Sequence, residues 1–404
     1  MTDDPVVASD GDRPLRILHV AHALPPTLGG VETYLGRLLP LLRDAGHPAM
    51  AVSGGEPQPG DGERGIRRSR AVDRHSLLGD DPGDPGPGDS GPGGAGDLGP
   101  LLAGVAGSFR PDLVHAHNLH HFDAAFSDAV AGLRAAGVPV VVGIHDRVGE
   151  ALDPAALARP WDLVVHASDH LRRALPTAGP SRTLHLGVDT TCFHPGAPPH
   201  PALAGLPRPL IVHPARLLRW KGAHVSLEAF VAVRKAFPDA TLVLPDVAPV
   251  VGAAAEARTL RRELQDQAGA AGVADAVHFR AFPVDEMPGV LVAATVVWYP
   301  TIADEPFGLV PLEAMAAGTP IVASRSGGMV ESIESGTSGF LVARNDAAEL
   351  ADVTVRLLDD AGLRRRIVDG GAARAEHFSM ARHLGRLVDL YRSVVAGVGA
   401  GAVT

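Results

Sequence analysis

The sequence predicts an α/β protein made of two Rossmann-like domains, their parallel sheets facing a central cleft. Three observations predict it. Short apolar runs alternate with stretches of helical period, the pattern of strands that are joined through helices and therefore run parallel. The alternation occurs twice, on either side of a stretch at residues 190–208 rich in Pro and small residues. The chain has 404 residues, enough for two ordinary cores at about 100–200 residues each.

In the first series, strands are expected at 16–20, 48–52, 112–117, 138–145, 163–166 and 183–186. The first leads through Pro25, Pro26, Thr27, Leu28, Gly29 and Gly30 into an amphipathic helix over 31–45 that Gly46 stops, and a second helix over 123–136 ends at Gly137. Between 79 and 100, 14 of the 22 residues are Gly or Pro and most of the rest are Asp. Such a segment buries too little apolar surface to offset its ordering entropy, so it reads as a disordered surface insertion. Just before it, Arg64, Arg67, Arg68, Arg70 and Arg74 read as a solvated basic loop.

In the second series, strands are expected at 210–213, 241–244, 277–279, 295–299, 321–323 and 340–342, with helices at 223–237, 253–271, 309–317, 347–359, 361–377 and 379–396. The expected boundaries are a disordered tail at 1–13, a first domain at 14–195, a linker at 196–208, a second domain at 209–378 and a terminal segment at 379–404 packing back on the first domain.

Lys and Arg number 36 against 46 Asp and Glu, a formal charge of −10 that argues against nucleic acid as a partner. Cys192 is the only cysteine, so an internal disulfide and a Cys-held metal are excluded, which fits a reducing cytoplasm. The first 14 residues carry no apolar signal core, and the longest apolar run, 290–299, is half the roughly 20 residues of a spanning helix. A soluble cytoplasmic protein is expected, with at most weak contact to a membrane surface.

The most informative segment runs from Glu305 to Ser324. A strand end delivers Glu305 to the carboxyl edge of a sheet, and Pro306, Phe307 and Gly308 turn the chain into a helix whose first N–H groups, on Gly308, Leu309 and Val310, suit phosphate or hydroxyl oxygens. Glu313, a turn further on, suits a pair of ribose hydroxyls. Arg216 and Lys221, five residues apart on a loop after a strand, can neutralise a diphosphate. Gly29 and Gly30 permit close backbone approach to phosphate, but their order is not the G-x-G-x-x-G dinucleotide fingerprint. His115, His117, His120 and His121 invite a metal reading; with no carboxylate or Cys at zinc-site spacing, none is expected. His145 and Asp146, at the end of another strand, are further candidates to touch substrate.

Taken together, these segments resemble the retaining, nucleotide-sugar-dependent GT-B glycosyltransferases of family 4. The likeness rests on Glu305 and Glu313 with seven residues between them, on Gly327 through Glu331, Gly336 through Val342, Ala215 through Gly222, Gly187 through Pro195 and Pro26 through Glu32. It implies a GT-B fold whose C-terminal half binds the donor, with Arg216 and Lys221 on its diphosphate and His117 facing donor sugar and acceptor. Catalytic roles are expected for His117, Arg216, Lys221 and Glu305. Donor contacts are expected from Gly30, Phe307, Gly308, Leu309, Val310 and Glu313, and acceptor contacts from Gly29, Asn118 and His145. The nucleoside diphosphate sugar is then a co-substrate, with no cofactor and no metal. The expected reaction moves a hexose-type sugar to a hydroxyl of a small metabolite. A lipid-linked or envelope glycan acceptor, an epimerase and a non-catalytic sugar-nucleotide binder are the alternatives. One departure stands out: where the family often has a glycine-rich turn near the nucleotide, this chain has Pro245, Asp246, Val247, Ala248 and Pro249.

Overall fold

A computed structural model describes residues 13–27, 29–72, 98–122, 124–146, 154–246 and 254–401. The chain forms two compact units. The first takes residues up to 167, with 171–184 and those from 384 onward; the second takes 168–170 and 185–383.

The first unit contains β1 (Ile17–Ala21), α1 (Gly30–Asp44), β2 (Ala49–Ser53), β3 (Ile66–Arg68), α2 (Leu98–Phe109), β4 (Leu113–His117), α3 (Ala124–Ala135), β5 (Val140–Ile144), α4 (Ala155–Ala158), β6 (Leu163–His166), most of α5 (Asp169–Ala174) and β7 (Ser181–Thr183). Its sheet is parallel, in the order β3-β2-β1-β4-β5-β6-β7. Alternate strand residues point to opposite faces. Leu18, Val20, Val114, Ala116, Val140, Val142 and Ile144 enter a core with Leu102 and Val105 of α2 and Phe126 and Val130 of α3. The opposite face carries histidines: His19 is in register with His115, and His117 with Gly143.

Two expectations for this unit need correction. The 79–97 part of the Gly/Pro-rich insertion lies outside the described residues, but 98–100 open α2. Leu98, Leu102 and Val105 fall on one helical face and are buried, an apolar stripe that the surrounding glycines obscure. The basic segment is not simply solvated. Residues 66–68 form the edge strand β3, and the Arg68 side chain is 2% exposed, donating to Asp61 Oδ2 at 2.9 Å and to the Leu24 carbonyl. Arg74 lies outside the described residues.

The second unit contains β8 (Leu210–Val212), α6 (Ala223–Ala236), β9 (Thr241–Pro245), α7 (Ala254–Ala270), β10 (Val277–Arg280), α8 (Met287–Ala293), β11 (Val296–Tyr299), α9 (Leu309–Ala316), β12 (Ile321–Ser324), α10 (Met329–Ser332), β13 (Phe340–Val342), α11 (Ala347–Asp359), α12 (Ala361–His377) and the start of α13 (Met380–Gly401), which from Leu384 belongs to the first unit. Its parallel sheet has the order β10-β9-β8-β11-β12-β13. Trp298 anchors the core and donates its indole N–H to Thr354 Oγ1 at 2.8 Å, so the polar atom of this large buried ring is satisfied. Residues 196–208, expected as a linker, are built into this unit: Leu203 is fully buried against Leu210, Val212 and Val290.

Both sheets reverse their strand order once, between β1 and β4 in the first unit and between β8 and β11 in the second. In open α/β sheets such a reversal opens a crevice beyond the carboxyl ends of the two strands. The loops after these four strands are therefore where each unit can hold a ligand.

Gly143 sits where the histidine face has no room for a side chain. A Cβ there would lie 2.7 Å from His145 Nε2, 2.8 Å from His115 Nε2 and 3.1 Å from His117 Nδ1. Gly143→Ala is predicted to destabilise the protein by about 1–3 kcal/mol, the scale of overpacking, read from chemical denaturation. An unchanged midpoint would show that the rings have room to move.

Candidate active site

In the second unit the loop after β8 is laid against the end of β11. Gly222 makes this possible: its φ is +80°, and a Cβ there would lie 2.0 Å from the Pro300 carbonyl oxygen. The Trp220 carbonyl accepts from Ile302 N and Thr301 Oγ1, each at 2.9 Å. Lys221 is thereby held against the β11 loop, its ammonium 4.0 Å from the Trp220 ring centre.

There Lys221 Nζ meets Glu305 Oε2 at 2.8 Å, with both side chains about nine-tenths buried. The same ammonium donates to the Tyr299 hydroxyl, which donates in turn to Glu305 Oε2 at 3.1 Å. Burial pulls the Lys221 pKa down from its ordinary value, while the Glu305 charge and hydrogen bond oppose that shift. Burial pushes the Tyr299 phenol well up, and the Glu305 charge adds to this, so the phenol stays neutral.

Gly327 and Gly328 fix the Glu305 loop from behind. A Cβ at 327 would lie 2.0 Å from the Glu305 carbonyl oxygen, and one at 328 would lie 2.4 Å from that of Pro306. Gly328 N donates to the Glu305 carbonyl at 2.8 Å, and Glu305 N donates to Ser326 Oγ at 3.2 Å. These contacts account for the glycine pair in the sequence far better than a free turn would.

Arg216 lies exposed on the loop after β8, and its charge lowers the pKa of Lys221. No side chain caps α9, and among the described residues the N–H groups of Gly308, Leu309 and Val310 have no partner. Glu313 is half-buried one turn into α9, and its charge helps raise the Tyr299 phenol. The Phe307 side chain is buried against His185 and Phe378, which leaves only its backbone to meet a ligand. The fold thus gathers two cations, two carboxylates and bare helix-start donors around one switch point. Of the unusual loop at 245–249, Asp246 is tied to Arg261 at 2.8 Å, and 247–249 lie outside the described residues.

At the switch point of the first unit, His22 follows β1 and its Nε2 lies 2.6 Å from Glu32 Oε1. The Glu32 carboxylate folds over Gly29, whereas the space around Gly30 is open. His117 is fully buried, bonded through Nε2 to His19 at 3.0 Å and through Nδ1 to His145 at 2.9 Å. The Asn118 side chain is also committed: Oδ1 accepts from His145 N at 2.8 Å, and Nδ2 donates to Asp146 Oδ2 at 3.2 Å. These residues brace the ends of β4 and β5. Sequence spacing set no carboxylate beside the histidine run, but the fold brings Asp146 onto His121, with ligand-type atoms of His120, His121 and Asp146 within 4.8 Å of one another. His19, His115 and His117 make a second such group. Sequence reasoning passed over His19, His22 and Tyr299; their place at or near the carboxyl ends of the strands that flank each switch point is the signal that would have found them.

Two family models match the chain, glycosyltransferase family 4 over residues 28–192 and glycosyl transferases group 1 over residues 203–374. The D-inositol 3-phosphate glycosyltransferase 1 of Catenulispora acidiphila is 32% identical over 329 residues, covering 74% of this chain and 77% of that protein. The chain belongs to the family 4 glycosyltransferases. A second relative, the D-inositol 3-phosphate glycosyltransferase of an Arthrobacter species, is 30% identical over 314 residues, 71% of each chain. Among solved structures, Anabaena HepE in complex with UDP and glucose aligns with a TM-score of 0.71 at 22% identity, covering 94% of this glycosyltransferase and all of that chain. Sucrose-phosphate synthase from Thermosynechococcus elongatus aligns with a TM-score of 0.69 at 21% identity, over 95% of this chain and all of that one. The two units are thus the Rossmann-like domains of a GT-B glycosyltransferase, and among the described residues no helix is long and apolar enough to cross a membrane.

The histidine face gives the glycosyltransferase a defined acid response. Burial holds His19 down to about 3 and His145 to about 4, and burial with the neighbouring His115 holds His117 well below its ordinary value. Unfolded imidazoles take up protons near pH 6.5. The unfolded chain therefore binds more protons as pH falls below that value, and stability present above pH 6.5 is lost progressively toward pH 4. Thermal unfolding followed between pH 7.5 and about 4 should show a steep drop in midpoint below pH 6.5; a flat profile down to pH 5 would mean that the rings are already charged in the fold.

Proposed function

We propose that this glycosyltransferase moves a hexose-type sugar from a nucleoside diphosphate sugar to a hydroxyl of a small acceptor molecule, with retention at the anomeric carbon. The observation that carries the reading is the contact of Lys221 with Glu305 beside Arg216 and the uncapped start of α9. In this reading Arg216, Lys221 and the N–H groups of Gly308, Leu309 and Val310 hold the diphosphate, Glu313 takes the ribose hydroxyls, and Glu305 faces the hexose. The named relatives act on an inositol phosphate, and HepE was crystallised with UDP and glucose, which supports a hydroxylated acceptor and a nucleotide-linked donor.

The sugar leaves as its bond to the diphosphate breaks. Preorganised positive charge stabilises the oxygen that develops, and that oxygen takes the proton of the incoming acceptor hydroxyl on the same face. Glu305 is engaged by both Lys221 and Tyr299, an arrangement suited to holding a sugar hydroxyl rather than attacking carbon. Because Arg216 and Lys221 supply the positive charge, transfer needs no metal at the diphosphate.

Purified protein incubated with a panel of nucleotide sugars and hydroxylated acceptors tests this directly. Product of retained configuration, formed equally with and without EDTA, is expected. Lys221→Ala should lower turnover by on the order of a hundredfold or more, as for loss of one preorganised charge stabiliser. An inverted product, activity abolished by EDTA and restored by Mg²⁺, or full turnover in the variant would each contradict the proposal.

A further inference from the structure

Tyr299 enters the reading above only as a partner of Glu305, yet its hydroxyl also accepts from Lys221 inside the site. It is the last residue of β11, 3% exposed, and it points away from the core that its neighbours Val296 and Trp298 enter. A buried phenol must find hydrogen-bond partners. The partners here are Lys221 and Glu305, which also bond each other, so three side chains from two loops and a strand end close a ring of hydrogen bonds.

We propose that Tyr299 is a positioning residue for sugar transfer, fixing the Lys221 ammonium toward the donor diphosphate and the Glu305 carboxylate toward the hexose. The proposal rests on the roles assigned to those two residues above. A phenol suits the task because it accepts from the ammonium through a lone pair and donates its one proton to the carboxylate. An ammonium has three protons. Two are taken by Glu305 and Tyr299, which leaves the third to be aimed at a phosphate oxygen. As Lys221 engages the diphosphate, Glu305 keeps the phenol proton and its place. A neutral phenol performs this at any working pH, and burial keeps it neutral. Phenylalanine would fill the same space and supply neither bond.

Tyr299→Phe is the test, compared in the wild-type and Glu305→Gln backgrounds. In the wild-type background kcat should fall about tenfold, the scale of a lost hydrogen bond to a charged group, while KM for the donor and the Kd of the bare nucleoside diphosphate stay within about threefold. In the Glu305→Gln background the same change should lower kcat less than about twofold, because residues that act through one another are not additive. A readout independent of turnover is the Lys221 ammonium titration, followed by NMR with ¹³C at its ε-carbon. The titration should move to lower pH in Tyr299→Phe, since the charged form loses an acceptor. Equal fold-losses of kcat in both backgrounds, a loss of diphosphate affinity as large as that of kcat, or an unmoved Lys221 titration would overturn the proposal. Should the wild-type protein transfer no sugar from any donor, the functional reading fails by itself, and the titration alone decides whether Tyr299 positions Lys221.

Discussion

The second unit is organised around one buried ion pair. Lys221 and Glu305 come from loops 84 residues apart, and their side chains are about 90% buried. Taking two such charges out of water costs several kcal/mol each, so a pair of this kind survives only with close geometry and further hydrogen bonds. Tyr299 supplies the hydrogen bonds, and the Trp220 ring faces the ammonium from 4.0 Å. The backbone features nearby are consequences of that requirement. Gly222 lets the lysine loop approach Pro300, Gly327 and Gly328 let the glutamate loop approach α10, and each would otherwise meet a carbonyl oxygen within 2.4 Å.

The first unit solves a different problem. Its sheet could have buried aliphatic side chains on both faces, yet one face holds His19, His115 and His117 in a tight layer with His145 beside Tyr34 and His115 bonded to Tyr391. Burial keeps His19, His117 and His145 neutral, and neutral rings can link head to tail, each giving one proton and accepting another. The layer ends at the same carboxyl edge as Asn118 and Asp146, so the loops of that switch point stand on a rigid polar footing.

Much of this was legible in the chain because parallel sheets write clearly. The strand and helix alternation and the two-domain division follow from apolar runs, and Glu305, Glu313, Arg216 and Lys221, singled out by their spacings, are the residues the fold gathers at the switch point of the second unit. The losses have physical causes. Helix α2 was hidden because its apolar stripe begins inside a glycine-rich stretch. Arg68 looked solvated because sequence alone does not show that Asp61 and the Leu24 carbonyl fold over it. His117 looked available to substrate, and only the register of β1, β4 and β5 reveals that His19 and His145 occupy both its nitrogens. Tyr299 was passed over because a tyrosine that ends a strand is ordinarily a core residue, although its place at a switch-point strand end marked it.

In the proposed reading Lys221 stays bonded to an internal carboxylate and keeps one ammonium proton for the diphosphate of the donor. Glu305 then opposes anion binding through its own negative charge. Isothermal calorimetry with the bare nucleoside diphosphate, comparing wild type with Glu305→Gln, measures that opposition directly. The account predicts that the variant binds about tenfold more tightly, a gain of about 1.4 kcal/mol, because the unpaired buried ammonium gains its anion from the ligand. Unchanged or weaker binding would show that the Glu305 charge is not felt by the diphosphate and that the pair is a structural clasp apart from that site.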